Sequence, residues 1–523
     1  MQNRTTNQIV KNIPEKSKMS SDGKEGIDKS LTNRIMKSTA IIGGSSAVNV
    51  IFQIIRAKVV ALLLGPAGLG LISIFSTVVQ LASMLSGMGI DTSGVRQIAI
   101  AAEQDDRQGL VKIISSYRRT AFALGILGAV LLFALRGWVS QMTFGDQSYA
   151  DSVGWLSFAV FFTVVANSQS TIIRGMRQIG DLARAMVLGA AVGTILGLPI
   201  IYYWRERGIA LYLVFVAAMM LIVAWWYARK FSPRTTSQSW RTSFQEARTL
   251  ITLGFAFMTT GLITLGTTYL IKSLVIRVLG LDAAGLFEAA SRLSNVYVGF
   301  ILGAMGADFF PHLAGVVHDS EQSNALINEQ VRIGSLLAVP GLLGVLFAGD
   351  WLFQLLYSSE FVAGAVLLRW LVLGTFLRVI SWPLGYLVLA QGKGKLFFVT
   401  ELAANIVYIS FAYWGAKSIE LIGVGVAFFI LYLFYSVLMT IVAFRISGFR
   451  WTRENLLSFI WMASAVAVGF GITFIEPMWL SASLGGVLTA VVAFYSTWVM
   501  YCILGKPTIQ NMWHQLRTHL KMT

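Results

Sequence analysis

Apolar residues run in blocks of about 20 along nearly the whole chain, each long enough to cross the hydrocarbon core of a bilayer. Short polar or Gly-Pro breaks separate the blocks. The pattern predicts about fourteen membrane-spanning helices. The first six are expected near 38–64, 69–98, 111–134, 153–173, 184–203 and 208–228. The next six follow near 250–279, 284–310, 326–348, 364–390, 396–415 and 421–444, and two more near 456–475 and 482–504. The domain organisation read from this pattern is a disordered polar tail (1–36), a six-helix lobe (37–228), a cytoplasmic connector (229–248), a second six-helix lobe (249–446), two extra helices (447–505) and a basic tail (506–523). No short apolar core with a small-residue cleavage site precedes the first block, so no cleavable signal peptide is expected.

The blocks also repeat. Ala67-Gly68-Leu69 recurs as Ala284-Gly285-Leu286, and Met88-Gly89-Ile90-Asp91 as Met305-Gly306-Ala307-Asp308. Both matches share an offset of about 217 residues, and Arg174-Gly175 and Gly208 fall on Gln391-Gly392 and Gly425 at the same offset. An even number of spans separates the copies, so both lobes enter the membrane the same way. They are expected to be related by an axis along the membrane normal, with a cleft between them. Pro199, Pro311, Pro340 and Pro383 lie in or at the ends of spans, where bending would need them.

Composition agrees with a polytopic membrane protein: 56% of residues are hydrophobic and only 13% charged. The net charge of +16 would suggest a nucleic-acid partner in a soluble protein. Here roughly 29 Lys and Arg fall in loops of one side and roughly 5 in the other, as cytoplasmic loops require. That distribution puts both termini in the cytoplasm and removes nucleic acid as a partner. The single cysteine, Cys502, offers neither a disulfide framework nor a thiolate metal site.

Charge inside the spans is costly and usually faces a bundle interior or watery cavity. Arg56 lies about 14 Å before the Gly65 turn, Lys272 about 12 Å before Gly280, and Arg292 about 10 Å past Gly285. Arg378 lies about 20 Å from the cytoplasmic end of its span. Lys272 reads as the approximate repeat mate of Arg56. Together these cations would line the cleft and suit a phosphate or pyrophosphate group. Plainer readings stand beside this one. Arg56 and Lys58 are about 200° apart on a helix, so one of them snorkels outward. Glu288 and Arg292 are spaced i, i+4 and can simply pair. Asp91 and Asp308 are expected at the cytoplasmic boundary, as caps or loop ties. With Glu288 and Glu401 they complete the set of candidate coupling or gating acids.

Catalytic chemistry is not supported. No GxxxxGK[ST] phosphate loop occurs, His312, His318, His514 and His519 form no metal-ligand pattern, and no outer loop offers paired carboxylates. Neither a cofactor nor a metal is implied. Trp155, Trp351 and Trp479 fit the aromatic belts of a membrane interface.

The turn LLLGPAGLGLISIF (Leu62–Phe75) and the segment GMGIDTSGVRQIA (Gly87–Ala99) carry a resemblance. They are similar to the first hairpin of Wzx-type flippases, in the multidrug/oligosaccharidyl-lipid/polysaccharide exporter superfamily. The resemblance implies an all-α, two-lobed, MATE-like bundle alternating between inward- and outward-open states in the bacterial inner membrane. It implies a polyprenyl-pyrophosphate-linked oligosaccharide as cargo, and polysaccharide polymerase and chain-length machinery as partners. It also matches Lys58 to the family's basic residue in the first helix, and Lys272 and Arg277 to the basic pair of the second lobe. The long polar N-terminus and the two extra helices depart from many members. Two other readings remain: a drug or small-cation antiporter on the same scaffold, which needs buried carboxylates, and a glycan polymerase or ligase, which needs a large outer loop.

Overall fold

The structure is a computed structural model and describes residues 21–104, 107–231 and 240–520. Among the described residues it holds fourteen α-helices and no strand. A chain that must satisfy its backbone polar groups without water has little alternative. The helices are α1 (Ser21–Gly87), α2 (Ile90–Glu103), α3 (Arg107–Ala134), α4 (Arg136–Phe144), α5 (Ala150–Gly175), α6 (Ile179–Trp204) and α7 (Gly208–Ala228) in the first half. The second half contains α8 (Trp240–Leu279), α9 (Leu281–Val316), α10 (Ser320–Leu356), α11 (Ala365–Ala390), α12 (Gly394–Ser447), α13 (Arg453–Ile472) and α14 (Met478–Leu520).

Ten helices are long and apolar enough to span a membrane, or eleven if α9, bent by 48° between its Leu281–Gly303 and Asp308–Val316 parts, counts as one. Three of these stretches, of 40, 53 and 54 residues, are interrupted midway. The first, α1, breaks at Gly65; α6 and α7 meet at Arg205–Arg207; α12 breaks at Ile419–Glu420.

Some boundaries differ from those read off the apolar pattern. From Ser21 the chain is already helical, and α8 starts at Trp240 rather than near 250. Residues 1–20 of the expected tail and 232–239 of the connector lie outside the described residues. The single helix expected over 69–98 is cut at Met88 and Gly89, both with positive φ (46° and 68°). The stretch expected to be an outer loop between the third and fourth spans contains α4. At the other end, α14 continues without a break to Leu520, through most of the expected basic tail.

Within the first lobe α5 packs on α3 and α7, and α6 on α7; within the second, α11 packs on α10 and α12. The lobes meet mainly where α1 lies against α9 and α8, while α13 and α14 pack on α10 at the edge of the second lobe. The duplication is visible in the backbone itself. Positive φ recurs at Gly65 and Gly280, at Arg177 and Gly392, and at Arg205 and Glu420. The last two share φ/ψ of 51°/−135° and 52°/−136°. Hydrogen bonds match as well: Gln178 N–H donates to Ile173 O as Lys393 N–H donates to Val388 O. Each of these pairs is 215 residues apart, the same separation as in the Ala67–Asp282 contact. The structural register is thus two residues shorter than the short identity matches suggest.

Gly65 (φ 63°, ψ −162°) and Gly280 (φ 91°, ψ 175°) make the sharp turns that start the second helix of each hairpin. That region of backbone space is essentially closed to residues with a side chain. A Cβ on Gly280 would meet nothing within 4 Å, so strain alone is at stake there. Gly280→Ala is expected to cost about 1–3 kcal/mol, seen as a melting temperature lowered by a few degrees in detergent.

Candidate functional site

The two hairpin turns face each other, and the contact runs between repeat mates. Ala67 N–H donates to Asp282 Oδ1 at 3.0 Å, and Ser73 Oγ–H donates to Glu288 Oε2 at 2.7 Å, each pair separated by 215 residues. Between them Gly70 meets its own mate: a Cβ there would lie 2.9 Å from Gly285 N and 2.5 Å from Leu281 O. A position touches its own equivalent only where a twofold passes. Positions 67, 70 and 73 therefore trace the pseudo-twofold axis down one stripe of α1, over about 9 Å.

The charged core of the site hangs from that stripe. Glu288 is buried, and its Oε1 takes Arg292 Nε at 2.6 Å while its Oε2 takes Lys272 Nζ at 2.9 Å. Lys272 also donates to Thr77 Oγ1 at 3.1 Å, so α8 and α9 of one lobe are tied to α1 of the other. At the 215 offset Thr77 is the mate of Arg292, as Ser73 is of Glu288. One lobe supplies the ions and the other supplies small hydroxyls in the equivalent places. Two cations share one carboxylate, leaving a net positive charge. A buried carboxylate with two cationic partners and a hydroxyl donor is compensated; without them its desolvation would be prohibitive. Arg292 keeps a side-chain exposure of 28%, against 13% for Lys272 and 10% for Glu288, so the cluster has one open side.

The other candidate cations lie elsewhere. Lys58 Nζ donates to Gln354 O (3.0 Å) and Leu355 O (2.8 Å) at the end of α10, where a cation suits the helix terminus. Its mate Ser273 does the reverse, with Oγ–H directed at Met142 O (2.8 Å) and Thr143 O (3.1 Å) at the end of α4. Each lobe thus caps a helix of the other at the end of the bundle that holds the hairpin turns. Arg56 is half-buried, within electrostatic reach of Tyr212 in α7, inside the first lobe. Its mate is the buried Ile271 rather than Lys272. Arg277 is exposed near the Gly280 turn, beside Gly145.

Arg378 belongs to a second chamber. It donates to Asn295 Oδ1 at 2.7 Å and lines a cavity of about 470 Å³ with Glu401, Asn405, Trp382 and Tyr386. Glu401 accepts from Tyr435 Oη–H at 2.5 Å across the same cavity. The remaining acids lie apart from both groups. Asp91 accepts from Tyr117 Oη (2.7 Å) and Thr171 Oγ1 (3.4 Å), joining α2 to α3 and α5. Asp308 is exposed, 3.6 Å from His312 Nδ1. Of the ten residues singled out from sequence, Lys272, Glu288 and Arg292 come together on the axis and Arg378 and Glu401 share the chamber. Ser73 and Thr77 were not singled out. Hydroxyls are common in membrane helices, and only their position opposite Glu288 and Lys272 marks them.

Similarity to known proteins follows the same outline. The chain is 23% identical over 415 residues to the lipid III flippase of Escherichia coli K12, covering 77% of this chain and 96% of that protein. It is 21% identical over 345 residues to the succinoglycan biosynthesis transport protein ExoT of Rhizobium meliloti, covering 65% and 63%. In fold it resembles the lipid II flippase MurJ in an inward closed conformation (TM-score 0.62, 13% identity, 90% and 99% covered). It also resembles an inward-facing MATE-family multidrug transporter of the MOP superfamily (TM-score 0.59, 18% identity, 76% and 95% covered). Residues 59–366, well over half of the chain and including the axis, both hairpin turns and the Lys272–Glu288–Arg292 cluster, match the polysaccharide biosynthesis protein family, and to that family the chain belongs.

Proposed function

We propose that the protein is a flippase that carries a polyprenyl-pyrophosphate-linked oligosaccharide from the cytoplasmic to the periplasmic leaflet of the bacterial inner membrane. The observation that carries the reading is the cation pair Lys272 and Arg292, held on the pseudo-twofold axis where both lobes can act on one head group. Glycan hydroxyls and a diphosphate cannot cross hydrocarbon unaided, because each unsatisfied polar group costs several kcal/mol. The cations bind the diphosphate. The chamber at Arg378, with its carboxylate, amide and aromatic rings, offers partners to sugar hydroxyls. The lipid tail stays in the bilayer, and rocking of the lobes about the axis moves the head group.

In this scheme each interrupted stretch is a hairpin, the chain crosses fourteen times and both termini are cytoplasmic. The glycan delivered outside then passes to polymerase and chain-length machinery, the protein partners of the proposal.

Deleting the gene in its host is expected to stop surface polysaccharide and to accumulate the lipid-linked unit in the inner leaflet, with export restored from a plasmid. Unchanged surface glycan, with a new sensitivity to cationic drugs, would instead establish the antiporter reading.

A further inference from the structure

Glu288 occupies the place that a substrate anion would need. Both of its oxygens are taken by the two cations that the proposed function assigns to the diphosphate, and one of them also accepts from Ser73 of the opposite lobe. Its carboxylate therefore does two things at once: it neutralises part of the binding site, and it fastens α9 to α1 on the axis. Any anion that draws Lys272 and Arg292 to itself must weaken their hold on Glu288. The carboxylate then loses the charges that offset its burial, and with them its fixed position against Ser73.

We propose that Glu288 is a built-in competitor for the diphosphate, and that its displacement by the head group releases the contact between the lobes at the outer end. This rests on the proposed function, since it takes Lys272 and Arg292 as the head-group site. The site's open side, through the more exposed Arg292, is where exchange would begin. Arg292 and Glu288 stand one turn apart on α9, so the displaced carboxylate stays beside the site and retakes both cations when the head group leaves. The device also explains the hydroxyls of the first lobe. A serine opposite Glu288 holds the carboxylate by one hydrogen bond from an uncharged donor, which positions it without adding a third cation. A selective consequence follows: a free monoanion brings only the charge that the tethered Glu288 already supplies, whereas a diphosphate brings more and so outcompetes it on the two cations.

The test uses the full chain in lipid nanodiscs, with inorganic pyrophosphate as probe. Binding is measured by calorimetry for wild type, Glu288→Gln and Ser73→Ala. In parallel, Ala67→Cys and Asp282→Cys are combined in a Cys502→Ser background, which removes the chain's one natural cysteine, and the yield of the 67–282 cross-link is read. Pyrophosphate should bind Glu288→Gln at least about tenfold more tightly than wild type. It should lower the cross-link severalfold when Glu288 is present and leave it unchanged in Glu288→Gln. Ser73→Ala retains all three charges, so it covers the case in which Glu288→Gln fails to fold, and its cross-link should be weaker even without pyrophosphate. Equal affinity in wild type and Glu288→Gln, or bound pyrophosphate that leaves the wild-type cross-link untouched, overturns the competitor role while the head-group site stands. No pyrophosphate binding to any variant overturns the head-group site itself and the inference with it.

Discussion

Lys272→Met is expected to reduce export of surface glycan by at least about tenfold while the protein remains in the membrane at its normal level. The lysine contributes one of the two cations beside Glu288, and a hydrogen bond from that cluster to Thr77 of the first lobe. Truncating one partner of a buried, hydrogen-bonded charge pair costs about 2–5 kcal/mol of binding, and about 1.4 kcal/mol is already tenfold. Methionine keeps the unbranched stem, so packing between α8 and α1 is preserved. Glu288 still has Arg292 at 2.6 Å and Ser73 at 2.7 Å, so the carboxylate is not orphaned and the fold should survive. The cluster's net charge falls to zero, leaving a site with no attraction for a diphosphate. Immunoblotting of membranes alongside surface-glycan staining separates loss of transport from loss of protein. Arg277→Ala, at an exposed position beside the Gly280 turn, should change export by less than about twofold. Normal glycan in Lys272→Met at normal protein level would remove the axis cluster from the mechanism.

Gly285→Ala is expected to prevent the outer ends of the lobes from closing. Its Cβ would lie 1.9 Å from Pro66 O, and the neighbouring atoms are backbone, so no side-chain rotation relieves the clash. The hairpins would have to separate. Overpacking of this kind costs about 1–3 kcal/mol, enough to shift a closed–open equilibrium by about fivefold to somewhat over a hundredfold. Distances between spin labels on the outer ends of α1 and α9 should lengthen in Gly285→Ala. Gly299→Ala, on the same helix with nothing within 4 Å of the added carbon, should leave them unchanged. A closed distance distribution in Gly285→Ala would mean that the two turns do not form the outer seal.

Most of the architecture was legible because a bilayer leaves so few choices. Apolar block length gives the spans, and internal repetition gives the lobes. The register of that repetition was harder to read. Ala67-Gly68-Leu69 matches Ala284-Gly285-Leu286 by identity, yet the backbone superposes Gly65 on Gly280 and Gly70 on Gly285. What is kept is the glycine that turns the chain and the glycine that lets the helices touch, with unrelated residues between. Lys272 reads only as an approximate mate of Arg56 because their depths before the two turns differ by one residue, and its counterpart in the structural register is Ala57. The i, i+4 pairing of Glu288 with Arg292 was legible, since it needs only one helix. Their junction with Lys272 and Ser73 was not, because it depends on how two lobes dock. Lys58 shows the same limit: the resemblance matches it to a family basic residue, but only the docking of the lobes shows that its ammonium caps the end of α10.

The axis contacts bear on how such a bundle could have arisen. Were the halves identical, as in a dimer of half-length chains, the position of Glu288 would bring two carboxylates face to face with the cations of both copies crowded around them. Electrostatic self-repulsion would forbid that arrangement at its very centre. Joining the copies in one polypeptide frees each central position to diverge from its twin, so a single acid can meet a serine there. Chemical asymmetry on the axis is thus something a fused ancestor can acquire and a homodimer cannot.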